Sequence, residues 1–115
     1  MYRREVSYMV NEIIGLDALK KAADEHPEML LEFFATWCPH CQRMQPILES
    51  LSNQLAGQVY FAQVDVDKNQ DLAERFNVES TPTFFFIKNK EANLETTGEL
   101  SEENLLDFIR QGEER

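Results

Sequence analysis

Residues 29–55 read MLLEFFATWCPHCQRMQPILESLSNQL, and this stretch decides the fold. Met29 to Ala35 is a compact apolar run, as a strand shows when both its faces are covered. From Pro39 to Leu55 the pattern changes. Met44, Ile47, Leu48, Leu51 and Leu55 recur at spacings of three and four, which marks the buried stripe of a helix. Pro39 suits the first turn, where a missing N–H costs nothing. Pro46 inside the helix should kink it, and Gly57 should end it. Between the buried strand and the helix stands Trp37-Cys38-Pro39-His40-Cys41.

The same alternation runs outward in both directions. Glu5 to Val10 is a short β-like start. Leu16 to Glu25 has Leu16, Leu19, Ala22 and Ala23 at helical spacing, and His26-Pro27 stops that helix. Beyond Gly57, Val59 to Val66 predicts a strand and Gln70 to Phe76 a short helix. Pro82 to Lys88 is another buried run, and Ala92 to Thr97 is a polar strand suited to a sheet edge. Ser101 caps a last helix, with Glu102 and Glu103 in the first turn, where the dipole favours acid. The order is βαβαβαββα. Strands separated by helices imply parallel crossovers. The last two, joined around Asn89-Lys90, imply an antiparallel hairpin. The class is therefore α/β, with a mixed central sheet flanked by helices on both faces.

A chain of 115 residues without repeats or linkers reads as one domain over 1–115. Its net charge of −10 argues against nucleic acid and against an anionic membrane surface as partners. No apolar run approaches the roughly 18 residues of a spanning helix. Arg3 and Arg4 resemble a leader's charged start. Glu5, Ser7, Asn11 and Glu12 then interrupt the apolar stretch a leader needs, so the chain reads as cytoplasmic.

Cys38 and Cys41 are the two cysteines. Two cannot build a multi-bridge framework or a four-thiolate metal site, so they act as a pair. Three apart on the first helical turn, they face the same way, close enough for a disulfide. Cys38 sits near the helix N-terminus, where free N–H groups stabilise a thiolate. Cys41, one turn in and more covered, should keep the higher pKa. One thiol attacks and the other resolves, as a disulfide exchange cycle requires. The net negative charge works against thiolate formation, so the lowering at Cys38 must be local. A metal- or cluster-binding module using Cys38, Cys41 and His40 is the alternative, with too few ligands in one chain. A non-catalytic interaction domain is disfavoured because both cysteines are kept.

Along nearly its whole length the chain resembles thioredoxin. The resemblance rests on EFFATWC (32–38), WCPHC (37–41), Pro46, VDVDKNQDLAERFNV (64–78), STPTFFFIKN (80–89) and TTGELS (96–101). It implies the thioredoxin fold and thiol–disulfide exchange on protein substrates, through the Cys38–Cys41 disulfide and with no other cofactor or metal. A monomer recycled by a reductase or an oxidase is the corresponding expectation. It also implies a cis peptide between Thr81 and Pro82, beside the cysteines, X-Pro being the one common place for such a bond. The dipeptide Pro39-His40 departs from the family's usual Gly-Pro and matches the oxidising DsbA-type enzymes. Those carry an inserted helical domain before the cis-proline, and here Cys41 and Thr81 are too close in sequence to hold one. His40 beside Cys38, by hydrogen bond or partial charge, should favour the thiolate. A fall in the Cys38 pKa from about 7 to about 5 would stabilise the reduced form by roughly 2 kcal/mol, or about 50 mV. The pair is therefore expected to be less reducing than thioredoxin at about −270 mV.

The resemblance assigns further roles. Glu32, inside an apolar strand, matches a buried acid beneath the resolving cysteine, which serves as its proton acceptor; an outward, solvated Glu is the plain alternative. The lysine that usually partners this acid is Gln63 here. Trp37 is expected as a partly exposed contact surface. Thr81 offers backbone groups to a substrate strand. Gly98 either opens space for substrate or simply makes a turn. Other features read as structural: Asp65, Asp67 and Asp71 as a solvated strand end and helix start, His26 as a solvated loop residue, and Phe84, Phe85 and Phe86 as core.

Overall fold

The computed structural model describes residues 10–115. Its elements are β1 (Val10–Glu12), α1 (Leu16–Glu25), β2 (Glu28–Phe34), α2 (Pro39–Gln54), β3 (Tyr60–Asp65), α3 (Gln70–Arg75), β4 (Thr83–Lys88), β5 (Glu91–Thr97) and α4 (Glu102–Glu114). The strands form one mixed sheet in the order β1-β3-β2-β4-β5. The element order and class match the sequence reading. Of the first strand the described residues show Val10–Glu12, and residues 5–9 of that expectation lie outside them.

Period-two alternation distributes side chains to the two faces of the sheet. Leu30, Phe61, Phe84 and Phe86 meet Met44, Leu48 and Leu51 of α2 and Leu105, Phe108 and Ile109 of α4. Met29, Leu31, Phe33, Val64, Phe85 and Ile87 meet Leu19 and Ala22 of α1 and Leu72 of α3. Helices thus cover both faces, and β2 lies at the centre with no exposed side. The phenylalanine run 84–86 is core, as read.

One part of the topology differs. β1 and β2 both run parallel to β3, but β4 runs antiparallel to β2. The connection through α3 is therefore not a parallel crossover. Six helical residues advance about 9 Å, whereas carrying the chain back along a six-residue strand takes about 20 Å. The chain instead re-enters the sheet near the end at which β3 leaves it. This reversal brings Pro82 and Thr83, at the start of β4, beside the C-terminal end of β2.

β5 pairs with β4 as the antiparallel edge strand. Their turn places Asn89 at φ 51° and Lys90 at φ 74°, the left-handed pair that a two-residue hairpin requires. α2 ends at Gln54, with Leu55 as its cap, and Gly57 at φ 83° takes the turn beyond. His26 is half-buried rather than solvated: its ring stacks on Tyr60 at 3.7 Å. Asp65 is buried as well, because its Oδ1 accepts from the Asp67 N–H at 2.9 Å and so caps the turn after β3. Among the described residues no helix is long and apolar enough to cross a membrane.

Candidate active site

The site forms where β2 ends and α2 begins. Cys38 is the N-cap of α2, in extended conformation, and Pro39 follows at the first helical position. The cap is a sulfur atom. Cys38 Sγ accepts the Cys41 N–H at 3.3 Å, and approaches the Thr81 carbonyl oxygen at 3.6 Å. Both cysteines are free thiols, packed against Ala35, Phe34 and Val66.

Coverage does not separate the two thiols as expected, since 4% and 5% of their surfaces are exposed. Their neighbours do. Burial acts to raise the Cys38 pKa, but hydrogen bonds from the Cys41 thiol, at Thr81, and from the backbone N–H groups of Cys41 and His40 outweigh it, and the net direction is downward. Cys41 goes the other way. Burial, together with the hydrogen bond it gives Cys38, pushes its thiol up to about 12. The attacking and resolving assignments thus have opposite electrostatics within one helical turn.

Glu32 lies on the face of β2 that α2 covers, with 1% of its surface exposed, so the solvated alternative fails. Its Oε1 accepts from Gln63 Nε2 at 2.8 Å, and the same nitrogen donates to Gln45 Oε1 at 2.8 Å. Its Oε2 has no partner among the described residues. Burial raises the carboxyl pKa to about 8, against the Gln63 hydrogen bond and assisted by charge on Cys38. A carboxyl poised there changes protonation near neutrality, as a proton acceptor must.

The His40 ring bonds to groups other than Cys38. Its Nδ1 lies 2.8 Å from Glu99 Oε1 and 2.9 Å from Arg43 Nη2. The ring is engaged by these two groups, and the residue reaches Cys38 through its main-chain N–H instead. Trp37 is 67% exposed, with Nε1 donating to Asp67 Oδ2 at 2.9 Å. The Thr81–Pro82 peptide is cis, and the Gly98 N–H donates to the Pro82 carbonyl at 2.8 Å. Gly98 has φ 108°, the left-handed turn conformation that favours glycine, and a Cβ there would meet open space. Beside Cys38 opens a largely apolar cleft of about 440 Å³, floored by Val66, Ala73 and Val78 and edged by Trp37, His40 and Thr81. Every site residue read from sequence therefore lies at this end of the sheet or directly beneath it. Glu99, Arg43 and Gln45 were missed. Arg43 is one turn from His40, which spacing could have shown. Glu99 arrives from 56 residues beyond Arg43, and no local pattern signals it.

The described residues bring together no group of three His, Cys, Asp or Glu side chains able to hold a metal ion. Comparison with known proteins agrees with the geometry. A family model described as Thioredoxin matches residues 17–111. The chain is 37% identical over 83 residues to the thioredoxin of Haemophilus influenzae, covering 72% of this chain and 78% of that protein. It is 37% identical over 91 residues to protein disulfide isomerase-like 2-2 of Oryza sativa, covering 76% of this chain but only 24% of that longer protein. A solved mutant thioredoxin of Halobacterium salinarum superposes with a TM-score of 0.83 at 30% identity, covering 89% of this chain and 88% of that one.

Proposed function

The chain belongs to the thioredoxin family of thiol–disulfide oxidoreductases, and from that premise we propose that Cys38 is its attacking thiol, Cys41 its resolving thiol and Glu32 the proton acceptor between them. The observation that carries the assignment is the opposed pair of shifts, with Cys38 lowered at the helix cap and Cys41 raised beside a buried carboxyl.

In the reducing direction the Cys38 thiolate attacks one sulfur of a substrate disulfide. That S–S bond breaks, and the other substrate sulfur leaves with the electron pair and takes a proton from water. A mixed disulfide now joins Cys38 to the substrate. Cys41 gives its proton to the Glu32 carboxylate and attacks the Cys38 sulfur. The second substrate thiolate leaves, and the Cys38–Cys41 disulfide remains, so two electrons have passed to the substrate. A recycling reductase restores the dithiol; supplied with an oxidase and substrate thiols, the same steps run in reverse. A substrate strand would lie along the cleft, on the Thr81 backbone, against Pro82, Gly98 and the exposed Trp37. We read the protein as a cytoplasmic monomer acting on other proteins.

The Pro39-His40 turn departs from the family's usual Gly-Pro, and on that resemblance we infer a pair less reducing than about −270 mV. Equilibration with a glutathione redox buffer tests this directly, and a potential at or below that value would overturn it. The assignment of the two thiols has its own test. Cys41→Ser should accumulate a covalent mixed disulfide with a thiol-reactive protein substrate, and Cys38→Ser should not. Accumulation through Cys41 in the Cys38→Ser protein would reverse the roles.

A further inference from the structure

His40, Arg43 and Glu99 form a cluster at the mouth of the site that the exchange cycle does not use. Glu99 lies between β5 and α4, directly after Gly98, whose N–H is bonded to Pro82. Its carboxylate is held by a fork. Arg43 Nε stands 3.1 Å from Oε1 and 3.0 Å from Oε2, and Arg43 Nη2 stands 2.9 Å from Oε1. Such a bidentate contact fixes direction as well as distance. The hydrogen bonds from Arg43, and then His40, keep the carboxyl down at about 2, so Glu99 carries its charge at every working pH.

That fixed oxygen is what His40 Nδ1 meets at 2.8 Å. The ring is held at Nδ1 in either protonation state. Protonated there, it donates to Glu99; unprotonated, it accepts from Arg43 Nη2, 2.9 Å away, since arginine keeps its own protons. A histidine directly after Pro39 would otherwise be free to swing its ring, and any positive charge on it, toward Cys38.

We propose that Glu99 is a positioning residue that restrains the redox pair: anchored by Arg43, it holds the His40 ring away from Cys38 and offsets the positive charge beside the thiolate, so that the dithiol is more reducing than its Pro39-His40 turn would make it. The proposal rests on the reading of Cys38 as the attacking thiol. All three side chains are substantially exposed, so the size of the effect is that of an exposed ion pair, about threefold in an equilibrium constant.

The test is a double-mutant cycle read on the redox equilibrium and on thiolate absorbance. Glu99→Gln removes the charge at an exposed position where little packing is lost. It should shift the Cys38–Cys41 equilibrium against glutathione about threefold toward the dithiol, and lower the Cys38 pKa. In a His40→Ala background the same substitution should shift it by less than half as much on a logarithmic scale. No shift with Glu99→Gln, or an equal shift with and without His40, would overturn the proposal. The reading beneath it fails differently. A Cys41→Ser protein that forms no mixed disulfide through Cys38 removes the attacking role, whatever the ratio between the Glu99 variants.

Discussion

Replacing Glu32 by Gln should remove the part of the pH dependence of stability that this carboxyl contributes. The carboxyl is buried, one of its oxygens has no partner among the described residues, and its pKa is about 8 in the folded chain. In the unfolded chain it returns to about 4.3. Below the lower value both states are protonated, and the group contributes nothing to pH dependence. Between the two values the unfolded chain has lost the proton that the folded chain keeps. The native state then binds more protons, and stability falls as pH rises. Above the higher value the fall is complete. Each unit of separation is worth about 1.4 kcal/mol, so the wild-type loss between about pH 5 and about pH 8 is on the order of 3 kcal/mol. Glutamine keeps an oxygen to accept from Gln63 and removes the titration. Urea unfolding of both reduced proteins over that range measures the effect. Groups shared by the two proteins cancel in the difference, which should widen steadily with pH in favour of Glu32→Gln. Two parallel stability curves would show that Glu32 ionises normally inside the sheet, and would remove it as a proton acceptor.

Gln63→Lys should place an ammonium where the amide now meets Glu32 at 2.8 Å. An adjacent positive charge lowers a carboxyl pKa by about one to three units, so the upper end of the stability fall should move down accordingly. An unmoved upper limit in the same unfolding series would contradict the contact. Gly112→Ala should destabilise the protein by about 1 to 2 kcal/mol, although alanine is the better helix former by about 1 kcal/mol. A Cβ at Gly112 would stand 2.7 Å from Phe86 Cβ and closer still to the ring, inside the covered α4–β4 contact. A melting temperature equal to or above wild type would show that α4 shifts outward without penalty.

What was legible in the sequence was the part written in local period. The helical stripe of α2, the apolar run of β2 and the hairpin at Asn89-Lys90 each state their own geometry within a few residues. The direction of β4 was not legible, because it depends on how far α3 can carry the chain, a property of length and loop path. Asp65 looked solvated because an acid at a strand end usually is. Its burial depends on a backbone donor two residues on, in a turn that only the folded chain forms. Gly112 has no turn to announce it. It is small because Phe86, on a strand 26 residues earlier, fills the space a side chain would need. The site divides the same way. Cys38, Pro39 and Cys41 are legible from one helical turn, and Glu32 from its apolar flanks. The engagement of His40 by Glu99 is a contact across the fold, and no local pattern announces it.

The net charge of −10 sharpens what lowers the Cys38 pKa. Twenty-one acidic side chains against eleven basic ones oppose a thiolate. Charges on the surface act through water and are largely screened beyond about 8 to 10 Å. The backbone donors act at contact, from a helix terminus that the covalent chain holds in place. The thiol is lowered despite burial and despite the background charge, so hydrogen bonds at contact carry the effect: that from the Cys41 thiol first, then that at Thr81, then those from the main-chain N–H groups of Cys41 and His40. Side chains at the rim can then only trim the potential around a value that these contact hydrogen bonds set. That is why the Glu99 effect is expected to be a few-fold. A much larger change on substituting Glu99 would mean that charge at the rim, and not the helix terminus, governs the pair.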